Sequence, residues 1–207
     1  MLKDTAVARY SDKQKAALEA LMQDDVYDKA LAIMIGEGLQ ALTMDRLAKD
    51  VGVSRGTLYN YFDDKDAVVD FVEARTFDPV LEAIEEVAAS DLDPEIQLTR
   101  IAEWIFTSVY EDSALIVALS PTRQVADQCG SKMERKRTAA RTIQGIIRDG
   151  IEAGRFKKLS PVVVTEIFVG AISGMIESMA LSGEFYRADA LVPTLMELVL
   201  GGLVRTD

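Results

Sequence analysis

Residues 43–69 read TMDRLAKDVGVSRGTLYNYFDDKDAVV, with two glycines, two tyrosines around Asn60 and an acidic tail in one short span. Thr43 and Ser54 stand where a side-chain oxygen caps the first turn of a helix. Gly52 lies between them, where a positive φ costs glycine nothing. Ala48 is small where the first helix must approach the second. Leu47, Val51, Leu58 and Phe62 form an apolar seam, and Leu58 and Phe62, four apart, share one helix face. Two short helices joined by a tight glycine turn make a helix-turn-helix. The other face of the second helix carries Ser54, Arg55, Thr57, Asn60 and Tyr61. These are hydrogen-bonding side chains with reach, on a helix short enough to enter a major groove. Asp63, Asp64 and Asp66 then open a helix from Lys65, where carboxylates near the N-terminus favour helix formation.

Upstream, the spacing predicts a helix over residues 26–37, with Ala30, Ile33 and Met34 on one face and Gly38 as a left-handed cap. Residues 1–24 are polar, with an amphipathic patch at Ala16, Leu18, Leu21 and Met22, and read as an extension that forms at most a frayed extra helix. Downstream, Asp78-Pro79, Asp93-Pro94 and Ser160-Pro161 each place a capping side chain before a proline at the first helical position. Helices are predicted near 79–89, 94–111, 122–153 with a break at Gly130 left open, 161–182 and 187–204. A break is expected near Phe77, because a proline disfavours helical geometry at the residue before it. No β-hairpin signals appear, so the chain reads as all-α.

Composition narrows the function. The chain has 207 residues, no histidine, one cysteine (Cys129) and a net charge of −11. Without histidine the commonest general base and neutral metal ligand are missing, and one cysteine rules out thiolate zinc sites. No phosphate-binding glycine loop and no carboxylate pair on one helix face stand out, so an enzyme is not expected, nor a metal or cofactor. The start lacks a signal-peptide core, and contiguous apolar runs such as Val162–Thr165 are too short to span a bilayer; a cytoplasmic protein without membrane contact is expected. The acidic balance opposes non-specific binding to polyanions. From Val26 to Arg75 the cations are Lys29, Arg46, Lys49, Arg55, Lys65 and Arg75, against nine carboxylates. Any nucleic-acid contact must therefore be local, made through few phosphates.

The 43–69 stretch resembles the signature of the TetR family of bacterial transcriptional regulators, and the resemblance extends back to the helix ending at Gly38 and forward past Lys65. The segment GIEAGRFKKLSPVVVTEIFVGAISGMI, residues 150–176, is more weakly similar to the family's junction between its seventh and eighth helices. The resemblance implies a three-helix DNA-binding head over 25–75, after the 1–24 extension, and a helical ligand-binding and dimerisation body over 76–207, about nine helices in all. It implies that Thr43 and Lys65 hold phosphate. It places Arg55, Gly56, Thr57 and Asn60 at base edges, with Ser54 on the same face and Tyr59 and Tyr61 touching bases or backbone. The implied protein is a homodimeric repressor of a near-palindromic operator in double-stranded DNA, released by a small, lipophilic effector. The acidic head keeps a second reading open, a helical adaptor or partner-sensing regulator with weak or lost DNA binding.

The body supports two further expectations from its own residues. Residues 162–181 are apolar on nearly all sides, and such a helix must be buried inside the monomer or against a partner. With the last helix it suggests a four-helix dimer interface using Val164, Phe168, Ala171, Met175, Leu195, Leu198 and Val199. Trp104, Phe106, Tyr110, Ile116, Met133, Ile147 and Phe168 are candidates for an apolar pocket, although each reads equally as plain core. The basic run Lys132–Arg141 reads as a solvated helix face, with an anion-binding pocket rim as the alternative.

Overall fold

The computed structural model describes the backbone of residues 4–118 and 130–204, and the side chains of 19–118 and 134–204. These residues form nine α-helices and one 3-10 turn. The chain divides into two compact units, residues 1–72 and 73–207.

In the first unit, α1 (Asp4–Glu37) is a single helix of 34 residues. The polar extension is thus the start of α1 rather than a separate frayed helix. Val26, Ala30, Ile33 and Met34 bury one stripe of it. Gly38 ends α1 with φ 85° and ψ 162°. That is a positive-φ extended conformation, not the expected left-handed one, and it is open essentially to glycine alone. A 3-10 turn at Leu39–Ala41 follows. Next come α2 (Met44–Val51) and α3 (Arg55–Tyr59). Thr43 Oγ1 accepts from the Arg46 N–H at 3.3 Å, and Ser54 Oγ accepts from the Thr57 N–H at 3.0 Å. Gly52 sits between them at φ 83°, ψ 25°, the left-handed turn the sequence requires. Leu47, Leu58 and Phe62 are buried as the seam predicts, and Val51 is half-buried.

The helix α4 (Lys65–Ala88) begins in the first unit and continues into the second. Asp64 caps it by accepting from the Ala67 N–H at 2.8 Å. The break expected at Phe77 does not occur, because Pro79 lies inside the helix. Pro79 is exposed, so the hydrogen bond it cannot donate is missing on the solvent side, where water can substitute. The helix ends instead under Gln97. The buried Gln97 amide donates to the carbonyls of Val87, Ala88 and Ser90 at 3.1, 3.2 and 3.0 Å. It satisfies acceptors that a helix end leaves open.

In the second unit α5 (Pro94–Glu111) packs on α9 (Ala188–Leu203) and on α7 (Gly130–Glu152), which packs on α8 (Pro161–Ser182). A short α6 (Ser113–Ala118) lies against α8. Leu98, Ile101, Phe106, Ile143, Ile147 and Phe168 centre the core. Ser160 caps α8 through the Val163 N–H, as read from the sequence. Asp93 makes no cap hydrogen bond to α5, and its carboxylate pairs with Arg155 at 3.4 Å instead. Phe156 forms an isolated antiparallel bridge with Val204, and the Lys157 N–H donates to Leu203 O at 2.8 Å. This clip fixes the end of α9 to the turn after α7.

Gly150 makes the clip possible. A Cβ there would lie 2.5 Å from two ring carbons of Phe156 and 3.2 Å from Pro94 Cβ. Phe156 is buried and has no room to swing aside. Gly150→Ala is expected to cost about 1–3 kcal/mol, the usual penalty of overpacking, measured as a lower urea midpoint at unchanged slope.

Taken as a whole helix, α8 is long and apolar enough to cross a membrane, although its contiguous apolar runs are short. Only 22% of its apolar window is buried. Val164, Phe168, Ile172 and Met179 face the core. Val162, Val163, Ile167 and Leu181 are exposed, each by more than half.

Candidate nucleic-acid interface and body cavity

The surface of α3 is set by its caps and seam. With Leu58 buried, the remaining positions turn outward. Ser54, Arg55, Gly56, Tyr59, Asn60 and Tyr61 are exposed, Thr57 is half-buried, and Thr43 is exposed at the start of α2. Tyr59 and Tyr61 are therefore surface aromatics rather than packing. The Ser54 and Thr57 hydroxyls hydrogen-bond each other at 2.7 Å, which preorganises the first turn of α3.

The cations of this face are engaged within the head, a point the sequence did not reveal. Arg55 pairs with Asp45 Oδ1 at 2.7 Å, joining α3 to the first turn of α2, and its guanidinium lies 5.7 Å from the Tyr59 ring centre. Its pKa is raised above the ordinary value, first by the Tyr59 hydroxyl and then by the Asp45 charge. Arg46 forms a forked pair with Glu37, one arm at 2.6 Å, and also reaches Asp50 at 3.4 Å. The hydrogen bond from Arg46 holds the Glu37 carboxyl below its usual range. Lys65 is half-buried, and its Nζ donates to Leu39 O at 2.7 Å. That hydrogen bond ties α4 to the 3-10 turn and occupies one of the three protons the phosphate role would use.

Gly56 has no internal reason to be glycine. Its φ is not positive, and a Cβ would meet only Ser54 Oγ, at 3.9 Å. A mid-helix glycine costs roughly 0.5–1 kcal/mol relative to alanine, so what it offers is close approach from outside. Gly56→Ala is expected to raise the melting temperature and to weaken duplex binding, checked by calorimetry and fluorescence anisotropy on one sample.

In the body the anticipated pocket residues scatter. Phe106, Ile147 and Phe168 are fully buried core, Trp104 and Tyr110 are exposed, and Met133 lies outside the described side chains. Of the set's described side chains, Ile116 alone lines a cavity of about 230 Å3 between α4, α5, α6, α7 and α8. The walls that reasoning from sequence missed are Phe77, Val80, Leu81 and Ile84 of α4, with Ile105 and Ile176 opposite. Their signal was present: 77, 80, 81 and 84 follow helical spacing. Arg135 and Lys136 also line this cavity. The basic run is thus partly a cavity wall and not wholly a solvated face. Arg135 pairs at 3.3 Å with Glu73, which is 4% exposed. A larger groove of about 640 Å3 lies between α5 and α9; Tyr110 of the anticipated set lines it, with Arg187 6.0 Å from its ring.

The anticipated interface set also divides. Val164, Phe168 and Leu195 are buried within this chain and so unavailable to a partner. Ala171, Met175 and Val199 are half-buried, and Leu198 is 74% exposed. Gly170 and Gly174 are exposed on α8 with nothing within 4 Å of a built Cβ.

Residues 26–71 match the family model described as bacterial regulatory proteins, tetR family. The fatty acid metabolism regulator protein of Bacillus subtilis (strain 168) is 23% identical over 181 residues, covering 86% of this chain and 93% of its own. The transcriptional repressor KstR2 of Rhodococcus jostii (strain RHA1) is 24% identical over 186 residues, covering 86% and 89%. Among solved structures, the regulator FadR of Bacillus subtilis in complex with stearoyl-CoA superposes with a TM-score of 0.74 at 20% identity. It covers 86% of this chain and 97% of that one, a likeness of fold. The matched segment contains both short helices, their glycine turn and the outward face of α3, and over those residues the chain is similar to the tetR family of bacterial regulatory proteins.

Proposed function

We propose that this chain is a homodimeric, sequence-specific transcriptional repressor of the cytoplasm, released from a near-palindromic operator by a small lipophilic effector. The observation that carries the DNA half is the exposed surface of α3 and the turn after it, with Arg55 on the helix, Asn60 and Tyr61 just beyond its end, and Thr57 half-buried beside them, while Leu58 fixes the other side in the head. Thr43 at the start of α2 and Lys65 at the start of α4 position the backbone, and the α3 side chains read bases. The effector half rests on the apolar cavity walled by α4. The relatives named for fatty-acid metabolism, and the one in complex with stearoyl-CoA, support a lipophilic occupant.

The dimer uses the face of α8 and α9 that this chain leaves uncovered: Val163, Ile167, Gly170, Gly174 and Leu198. Exposed glycines with no internal neighbours let a second helix approach closely. Two-fold pairing would present two α3 helices to successive major grooves, about 34–36 Å apart or somewhat more. One helix, α4, begins after the reading helix and lines the cavity. An occupant that prefers one disposition of α4 shifts the DNA equilibrium by its differential affinity for the two states.

The test is anisotropy or mobility shift with DNA flanking the coding region, at several salt concentrations. Specific binding with a shallow salt slope is expected, since Arg46, Arg55 and Lys65 are already paired and few phosphates are neutralised. A slope as steep as −6 or beyond, roughly six or more phosphates, would contradict the paired-cation picture. Absence of binding at low salt would favour the adaptor reading.

A further inference from the structure

This inference rests on the effector reading of the α4 cavity. The cavity is lined by apolar residues apart from Ser108 and, as its only charged residues among those described, Arg135 and Lys136. Arg135 is the more enclosed of the two, with its side chain 16% exposed, and it faces Glu73, whose side chain is 5% exposed. Arg135 is one of the partners of this buried carboxylate, and taking it away is unfavourable. We infer that Arg135 exchanges partners: it holds Glu73 in the empty protein and the anionic head of an amphiphilic effector in the occupied one.

Three features converge on this exchange. The cation that would bind a negative head is already the partner of a buried carboxylate. That carboxylate belongs to α4, four residues before Phe77, the first α4 residue in the cavity wall. The apolar wall accommodates a tail and cannot satisfy a charge. An uncharged tail fills the cavity and leaves the Arg135–Glu73 pair intact. A charged one competes with Glu73 for the guanidinium, and the loss of that pairing disfavours the resting position of α4. Glu73 thereby registers the charge of the ligand while the apolar wall registers its tail. The cavity, about 230 Å3, lies below the usual range of roughly 300–1,000 Å3 for ligand pockets, so the resting protein suits a short tail.

The probes are octanoate and 1-octanol, equal in tail and different in charge, titrated calorimetrically into the full-length protein and into Glu73→Gln and Arg135→Gln. The wild type is expected to bind octanoate in preference to octanol. Glu73→Gln removes the internal competitor and raises that preference by roughly tenfold, with octanol affinity unchanged. Arg135→Gln brings octanoate down to the octanol level. Thermal melts separate these effects from stability, since a purely structural ion pair would lower the melting temperature of both variants and leave the octanoate-to-octanol ratio where it was. An unchanged ratio in either folded variant, with octanoate still binding, overturns the exchange and leaves the effector cavity standing. If neither probe binds the wild type, the effector reading falls and the exchange with it.

Discussion

Ile167→Glu is expected to turn the protein into a monomer and to abolish operator binding together. Ile167 is 61% exposed in the single chain, at the middle of the uncovered stripe of α8. Burial of an isoleucine side chain contributes roughly 1.5–3 kcal/mol, and in a two-fold interface the loss is counted twice. A glutamate in its place brings two like charges together near the symmetry axis and desolvates both. The dimer should weaken by about a thousandfold or more, at 1.4 kcal/mol per factor of ten. Linking two reading heads multiplies affinity by roughly 10²–10⁴, so duplex binding collapses without any change in α3. Sedimentation velocity reads the first effect and anisotropy the second. A variant that stays dimeric would place the interface elsewhere, and one that is monomeric yet binds tightly would dissociate dimerisation from recognition. Because Ile167 is not in the core, the monomer should melt as a folded protein.

Arg55→Ala is the second large effect, and Asp45→Asn is its counterpart of opposite sign. A bidentate arginine contact to a base is worth about 1–3 kcal/mol, and a two-fold dimer makes it twice. The loss is therefore on the order of thirtyfold or more, with discrimination relaxed at the base that Arg55 reads. Asp45 holds the Arg55 guanidinium at 2.7 Å, so some of what DNA offers is spent on breaking that pair. Both side chains are mostly exposed, and such pairs are worth little in water. Asp45→Asn is accordingly expected to tighten binding severalfold, not by orders of magnitude. Competition anisotropy against single-base operator variants measures both. Equal losses for Arg55→Ala on specific and random DNA would assign Arg55 to the backbone instead.

The head was legible because its constraints are local. Thr43, Gly52 and Ser54 act on neighbours three or four residues away, and all three appear in the structure in the roles their types imply. What stayed hidden depends on distance along the chain. Asp45–Arg55 and Lys65–Leu39 join different elements, and nothing in the spacing of a charge says which partner it will meet. Pro79 was misread as a helix start because a proline on an exposed helix face costs less than one in a core. Asp93 was taken for a cap because the rule could not foresee Arg155, 62 positions later, as its partner. The body was legible as helices and illegible as a site. Hydrophobicity alone cannot distinguish Phe168, which is core, from Ile167, which is surface, without the angle at which α8 lies on α7. The cavity wall on α4 was overlooked because the proline appeared to end one helix and begin another.

The clip that joins Phe156 and Val204 also sets an order of events during synthesis. The helices of the first unit pack on neighbours within the first 72 residues. The body waits for α9, whose partners α5 and the Phe156 turn were made long before it. At roughly 5–20 residues per second on the ribosome, the interval between a finished head and a closed body is on the order of ten seconds. During that interval each nascent chain carries a reading helix without a completed pairing surface. In the proposed dimer a lone head would lack the second contact that gives affinity, so unfinished chains would not occupy the operator, and regulation would begin only when a whole body can find its partner.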